Sequence, residues 1–181
     1  MNSTIRRAIV IACLLAAAMV SLPGRGAVAQ DNPPPKPIEL PCATDVSAQV
    51  LGKTPVNDGE DTVMLVRVIF APGGSIAAHT HPGTMVITVE SGQFGFTVIS
   101  EGEMVLNRAA TADAEASTEP MLQGEEFVIE PGDWTIETGM IHTARNLSDG
   151  PTTVLLSAMI EAEQPLTICV DQSSTPVAHY Q

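Results

Sequence analysis

The residues best suited to chemistry fall in two short patterns: Gly73-x5-His79-Thr80-His81, and, much later in the chain, Gly139-x2-His142-x3-Asn146. On a β-strand, side chains two residues apart share a face, so His79 and His81 present both imidazoles to one interior. His142, brought in by a distant strand, would complete a pocket of three neutral nitrogens. Such a donor set suits Zn, Cu, Ni or Fe, with positions left open for water or substrate. The competing reading is a pocket of the same shape that takes an organic ligand. The sequence offers no nucleophile triad, phosphate-binding glycine loop or paired carboxylates to point elsewhere. Glu90 and Glu137 are expected on exposed strand faces, with acids behind the metal ligands as the alternative, Arg145 in a surface ion pair or else holding an anionic ligand, Asn146 in a turn, and Trp134 in the core or else lining the pocket. His179 falls in a polar tail, apart from the site.

The elements that must position these histidines read as strands. Thr62 to Phe70 (TVMLVRVIF) is expected to end at Ala71-Pro72-Gly73-Gly74. Met85 to Glu90 ends at Ser91-Gly92, and Phe94 to Ile99 ends near Glu101-Gly102. Phe127 to Glu130 stops at Pro131-Gly132-Asp133, followed by Trp134 to Thr138, and Val154 to Ile160 is the last strong strand. Short β-rich runs cut by Gly and Pro predict an antiparallel sandwich or barrel. Ala109 to Pro120 (AATADAEASTEP) has no large apolar residue and is expected to be an exposed loop, with a short helix as the alternative. Asp31 to Pro41, with five prolines, reads as an extended leader.

Both histidine patterns resemble the two motifs of the cupin superfamily. Its first motif runs glycine, five residues, His-x-His, three or four residues, glutamate, six residues, glycine; Gly73, His79, His81 and Gly92 match, and Met85 stands where the glutamate is usual. In the second motif Gly132, Gly139, His142 and Asn146 match, and Glu137 stands where proline is usual. The resemblance spans roughly Thr62 to Ile160. It implies an all-β fold, an antiparallel double-stranded β-helix of the cupin or jelly-roll type. It also implies a divalent metal (Fe, Cu, Zn, Mn or Ni) on His79, His81 and His142. Met85 is a further candidate ligand, its thioether suited to Cu(I), or else a core methionine. The function expected is that of a metal-binding cupin acting on a small molecule, as a dioxygenase or other metalloenzyme. The alternative is a noncatalytic protein that captures a small ligand or metal. Cupin barrels often pair through their edge strands, a second copy covering the open edge, so a homodimer is expected.

The chain opens with Arg6 and Arg7, a fifteen-residue apolar run from Ala8 to Leu22, and Ala27-Val28-Ala29, the three regions of a secretory signal cleaved before Gln30. The run is shorter than the ~20 residues of a spanning helix. The organisation expected is signal peptide 1–29, leader and N-terminal segment 30–60, barrel 61–161, and C-terminal segment and tail 162–181, with the mature protein secreted or periplasmic and not embedded in a membrane. Cleavage removes three arginines and no acid, leaving five basic against 21 acidic residues, so the net charge moves from −13 to −16. That field repels nucleic acid and leaves small molecules as the expected partners. Cys42 and Cys169 remain; in an oxidising compartment they form a disulfide, and two buried thiols are the alternative.

Overall fold

The structure is a computed structural model and describes residues 37–171. The signal peptide, most of the proline leader and the tail with His179 lie outside the described residues. Twelve strands follow: β1 (Pro37–Ile38), β2 (Ala43–Val56), β3 (Asp61–Thr80), β4 (Gly83–Ser91), β5 (Phe94–Val98), β6 (Met104–Arg108), β7 (Ser117–Met121), β8 (Glu126–Ile129), β9 (Trp134–Thr138), β10 (His142–Asn146), β11 (Thr152–Glu161) and β12 (Ile168–Cys169). Among the described residues the only helical element is one 3-10 turn, Asn57–Gly59.

All the strand pairings are antiparallel, in the order β7-β6-β9-β4-β11-β3-β10-β5-β8, with β2 and β12 added alongside β3. The long strand β3 joins the two halves of this nearly closed barrel. Its first part pairs with β11, from Asp61–Glu161 to Phe70–Thr152, and its last part pairs with β10, His79 lying opposite His142. Between them the register with β2 jumps from Phe70 to Ser75. The turn expected at Ala71-Pro72-Gly73-Gly74 is therefore a bend inside one strand and does not end it. Gly73 takes a φ of 78°, and a Cβ on Gly74 would come within 2.6 Å of the Asp45 carbonyl oxygen, so the bend depends on both glycines.

Alternation along the strands builds the interior. Val66, Val68 and Phe70 of β3, Met85, Ile87 and Val89 of β4, and Val154, Leu156 and Ala158 of β11 are buried at every second position. Each fully buried Val, Leu or Phe contributes about 1.5–3 kcal/mol relative to exposure. The turn after β4 is equally constrained. Gly92 has a φ of 79°, and a Cβ there would meet the Thr152 hydroxyl at 2.4 Å.

Cys42 and Cys169 form a disulfide across 127 residues, with their Cα atoms 5.9 Å apart. Both ends grip the histidine-bearing end of β3. The Ala77 amide donates to the Cys42 carbonyl, β12 pairs with His79 and Thr80, and the Val170 amide donates to the Ala78 carbonyl. Of the segment expected to be a loop, residues up to Ala116 are exposed and outside regular structure, but Ser117 to Pro120 enter β7 and pair with β6.

Candidate metal centre

His79 comes from the end of β3 and His142 from the start of β10, its direct antiparallel partner, while His81 follows two residues on, just past the end of β3. All three are buried. Their ring centroids lie 4.2–5.2 Å apart, and one nitrogen from each lies within 4.8 Å of the others.

The remaining nitrogens are already committed. His79 Nδ1 lies 2.7 Å from the Ala77 carbonyl oxygen, His81 Nδ1 2.6 Å from that of Leu166, and His142 Nδ1 3.1 Å from that of Met140. A carbonyl oxygen only accepts, so each Nδ1 carries the proton and donates. In the neutral ring this leaves the lone pair on Nε2, and backbone carbonyls hold all three rings in that tautomer. Burial pushes each imidazole toward the neutral form: His79 below the ordinary range, His81 to about 4 and His142 well below 6.5. Neutral imidazole is the form that binds metal. Phe96 stacks on His142 with centroids 4.4 Å apart and rings 20° from parallel, which fixes that ring further.

The three rings open onto a cavity of about 30 Å³, otherwise lined mainly by apolar side chains including Val68, Phe70, Ile87, Phe96 and Leu156. A water needs roughly 10–15 Å³ on this measure, so the space suits an ion with one or two small ligands.

Elsewhere in the barrel interior, outside the lining of this cavity, lies a carboxylate that sequence reasoning placed on an exposed face. Glu137 is fully buried on β9, and neither of its oxygens is in hydrogen-bonding geometry with any group. Burial raises its pKa to about 7; the nearby amides of Met140 and Gly139 pull in the opposite direction without offsetting this. Met85, in the place of the motif glutamate, is also fully buried and stands directly opposite Glu137 in the β4–β9 register. Trp134 corrects the sequence reading in the other direction. It was expected in the core and is 39% exposed, because β9 turns Thr135 and Glu137 inward and Trp134 and Ile136 outward.

The other candidates lie where expected. Glu90 makes an exposed two-point ion pair with Arg67 at 2.6 and 2.9 Å, and Arg145 makes another with Glu126. Asn146 is structural: its amide donates to the carbonyls of Phe70, Ala71 and Gly150, while its oxygen accepts from the Ser148 amide and the Thr152 hydroxyl. No residue pattern pointed to the Leu166 carbonyl, which comes from the segment before β12 and orients His81.

The strand order makes a nearly closed antiparallel barrel, and the His-x-His pair at the end of β3 with the third histidine on its paired strand falls as in the cupin motifs. No family model matches the chain, and no curated protein matches it. Solved structures similar to it include a polyketide cyclase, RemF, from Streptomyces resistomycificus (22% identity, TM-score 0.44), covering 78% of this chain and 84% of that one. Oxalate decarboxylase is another, with 19% identity and a TM-score of 0.47, and a variant of the Bacillus subtilis enzyme has 17% and 0.46; each covers 75% of this chain. The chain spans only 30% of the oxalate decarboxylase chains. The likeness to cupins is read from this chain's own strand order and from where its histidine motifs fall.

Proposed function

We propose that this cupin is an exported metalloprotein that holds one divalent transition metal on the Nε2 atoms of His79, His81 and His142 and acts on a small oxygen-bearing molecule. The observation that carries this reading is the set of three buried rings, each with Nδ1 bonded to a backbone carbonyl and one nitrogen within 4.8 Å of the other two. A bound Fe or Cu would supply O2 activation, and Zn, Mn or Ni would supply Lewis-acid polarisation. The chain's own part is to keep the ligands neutral, exclude bulk water and, through the narrow cavity, admit only small ligands.

The test is to load the mature protein with Fe, Cu, Zn, Mn or Ni in turn and measure O2 uptake with small hydroxy, keto and dicarboxylic compounds, beside His142→Ala. Metal-dependent turnover lost in the variant supports the enzyme. Tight metal uptake without turnover on any of these compounds favours the noncatalytic alternative, capture of a metal or small ligand outside the cytoplasm. Export and the homodimer belong to the same reading. Among the described residues no helix is long and apolar enough to cross a membrane.

A further inference from the structure

We propose that Glu137 supplies, from β9, the carboxylate that balances the charge of the three-histidine centre, standing in for the glutamate that the cupin motif places at position 85. The inference rests on the metal reading above. Three neutral nitrogens leave both charges of a divalent ion uncompensated in a largely apolar cavity, and a buried uncompensated charge is costly. One carboxylate on the same interior halves that excess.

Three observations single out Glu137. First, it is fully buried and neither oxygen makes a hydrogen bond of good geometry, the amides of Gly139 and Met140 being its nearest polar company. Second, it pairs in register with Met85. Directly opposed residues of antiparallel strands project to the same face with their Cβ atoms about 4.5–5.5 Å apart, so a carboxylate on 137 opens onto the interior that one on 85 would face. Third, the residues that follow it run along the centre. A Cβ on Gly139 would lie 3.9 Å from the His81 carbonyl oxygen, and the Met140 carbonyl holds His142 Nδ1. Glu137 is not part of the 4.8 Å histidine triangle. Nor does it line the cavity onto which the rings open, so its carboxylate would reach the ion through a change of side-chain rotamer or through a bridging water.

The experiment titrates Mn(II) and Co(II) into the full mature protein and into Glu137→Gln, Glu137→Met, Met85→Glu and the Glu137→Met/Met85→Glu double variant, with circular dichroism confirming that each is folded. Loss of the carboxylate weakens binding by about 10–100-fold and shifts the visible spectrum of bound Co(II). Moving the carboxylate to position 85 in the double variant restores most of the affinity. Should Glu137→Gln bind both ions with wild-type affinity and an unchanged Co(II) spectrum, while His142→Ala loses them, the role of Glu137 is overturned and the three-histidine reading stands. Should the wild type bind neither ion, both readings fall. If Glu137→Met does not fold, Glu137→Gln decides alone.

Discussion

The burial that keeps His79, His81 and His142 neutral also sets how the metal-free protein responds to acid. His81 is lowered from 6.5 to about 4, and the other two shift in the same direction. Between these values the unfolded chain binds protons that the folded chain refuses. Stability present above pH 6.5 is thus lost as pH falls toward 4, by on the order of 3 kcal/mol for His81. Glu137 acts with the opposite sign. Its folded pKa of about 7 lies above 4.5, so the folded form holds a proton that the unfolded form releases, and stability declines as pH rises through that window. With chelator present, chemical denaturation of wild type and Glu137→Gln should therefore show a stability difference that shifts in favour of the variant by roughly 2–3 kcal/mol between pH 4.5 and 8. A difference independent of pH would mean that the Glu137 carboxylate is not desolvated.

At the scale of elements, the site is clamped from outside the barrel by the segment that holds β12. The Leu166 carbonyl fixes His81, β12 pairs with His79 and Thr80, and the disulfide ties that segment to Cys42. A Cys42→Ser/Cys169→Ser variant should lose about 2–5 kcal/mol of stability. It should also bind Co(II) more weakly under conditions where it remains folded. Lower thermal stability with unchanged Co(II) affinity would show that the clamp acts on the fold alone. Much of this was legible in the sequence. Five of the six strong strands lie where apolar runs and Gly/Pro turns put them, the first instead runs on through its expected turn to Thr80, and the three histidines meet as their spacing implied. β9 was misread for one physical reason. Trp134 and Ile136 are apolar and Thr135 and Glu137 polar, so hydrophobicity assigns the wrong face to the interior; with a period of two, one inversion misplaces Trp134 and Glu137 together. A strand lining a polar site inverts the usual pattern. The strands β6 and β7 were missed because MVLNR and STEPM form no clear apolar or β-rich run, and β2 because Gly52 and Pro55 interrupt it, while β10 was anticipated only as the strand that carries His142.

For the whole molecule, Ile136 of β9 joins apolar side chains of three other strands on the outer sheet face. Leu65, Ser157, Val86 and Ile136 lie in successive register across β3, β11, β4 and β9, with Val63 and Met159 one row away. Leu65, Ile136 and Met159 are all exposed. This face gives the proposed homodimer a surface besides the edges, of which β7 and β8 have only five and four residues and β2 is paired on its outer side with two-residue β1 alone. Light scattering on a sizing column should give a dimer for the mature chain and a monomer for Ile136→Lys/Met159→Lys; a monomeric wild type would contradict the proposal. Acidity and export sit at this scale too, and fractionation of the native host checks the signal peptide. The central claim, a metal on three histidines, meets its most direct test in elemental analysis of the mature protein. That protein should be purified from its native export route without a histidine tag, beside His79→Ala/His142→Ala. About one transition metal per chain, lost in the variant, is the result expected. A protein that carries none, and takes up none on reconstitution with Fe, Cu, Zn, Mn or Ni, would contradict it.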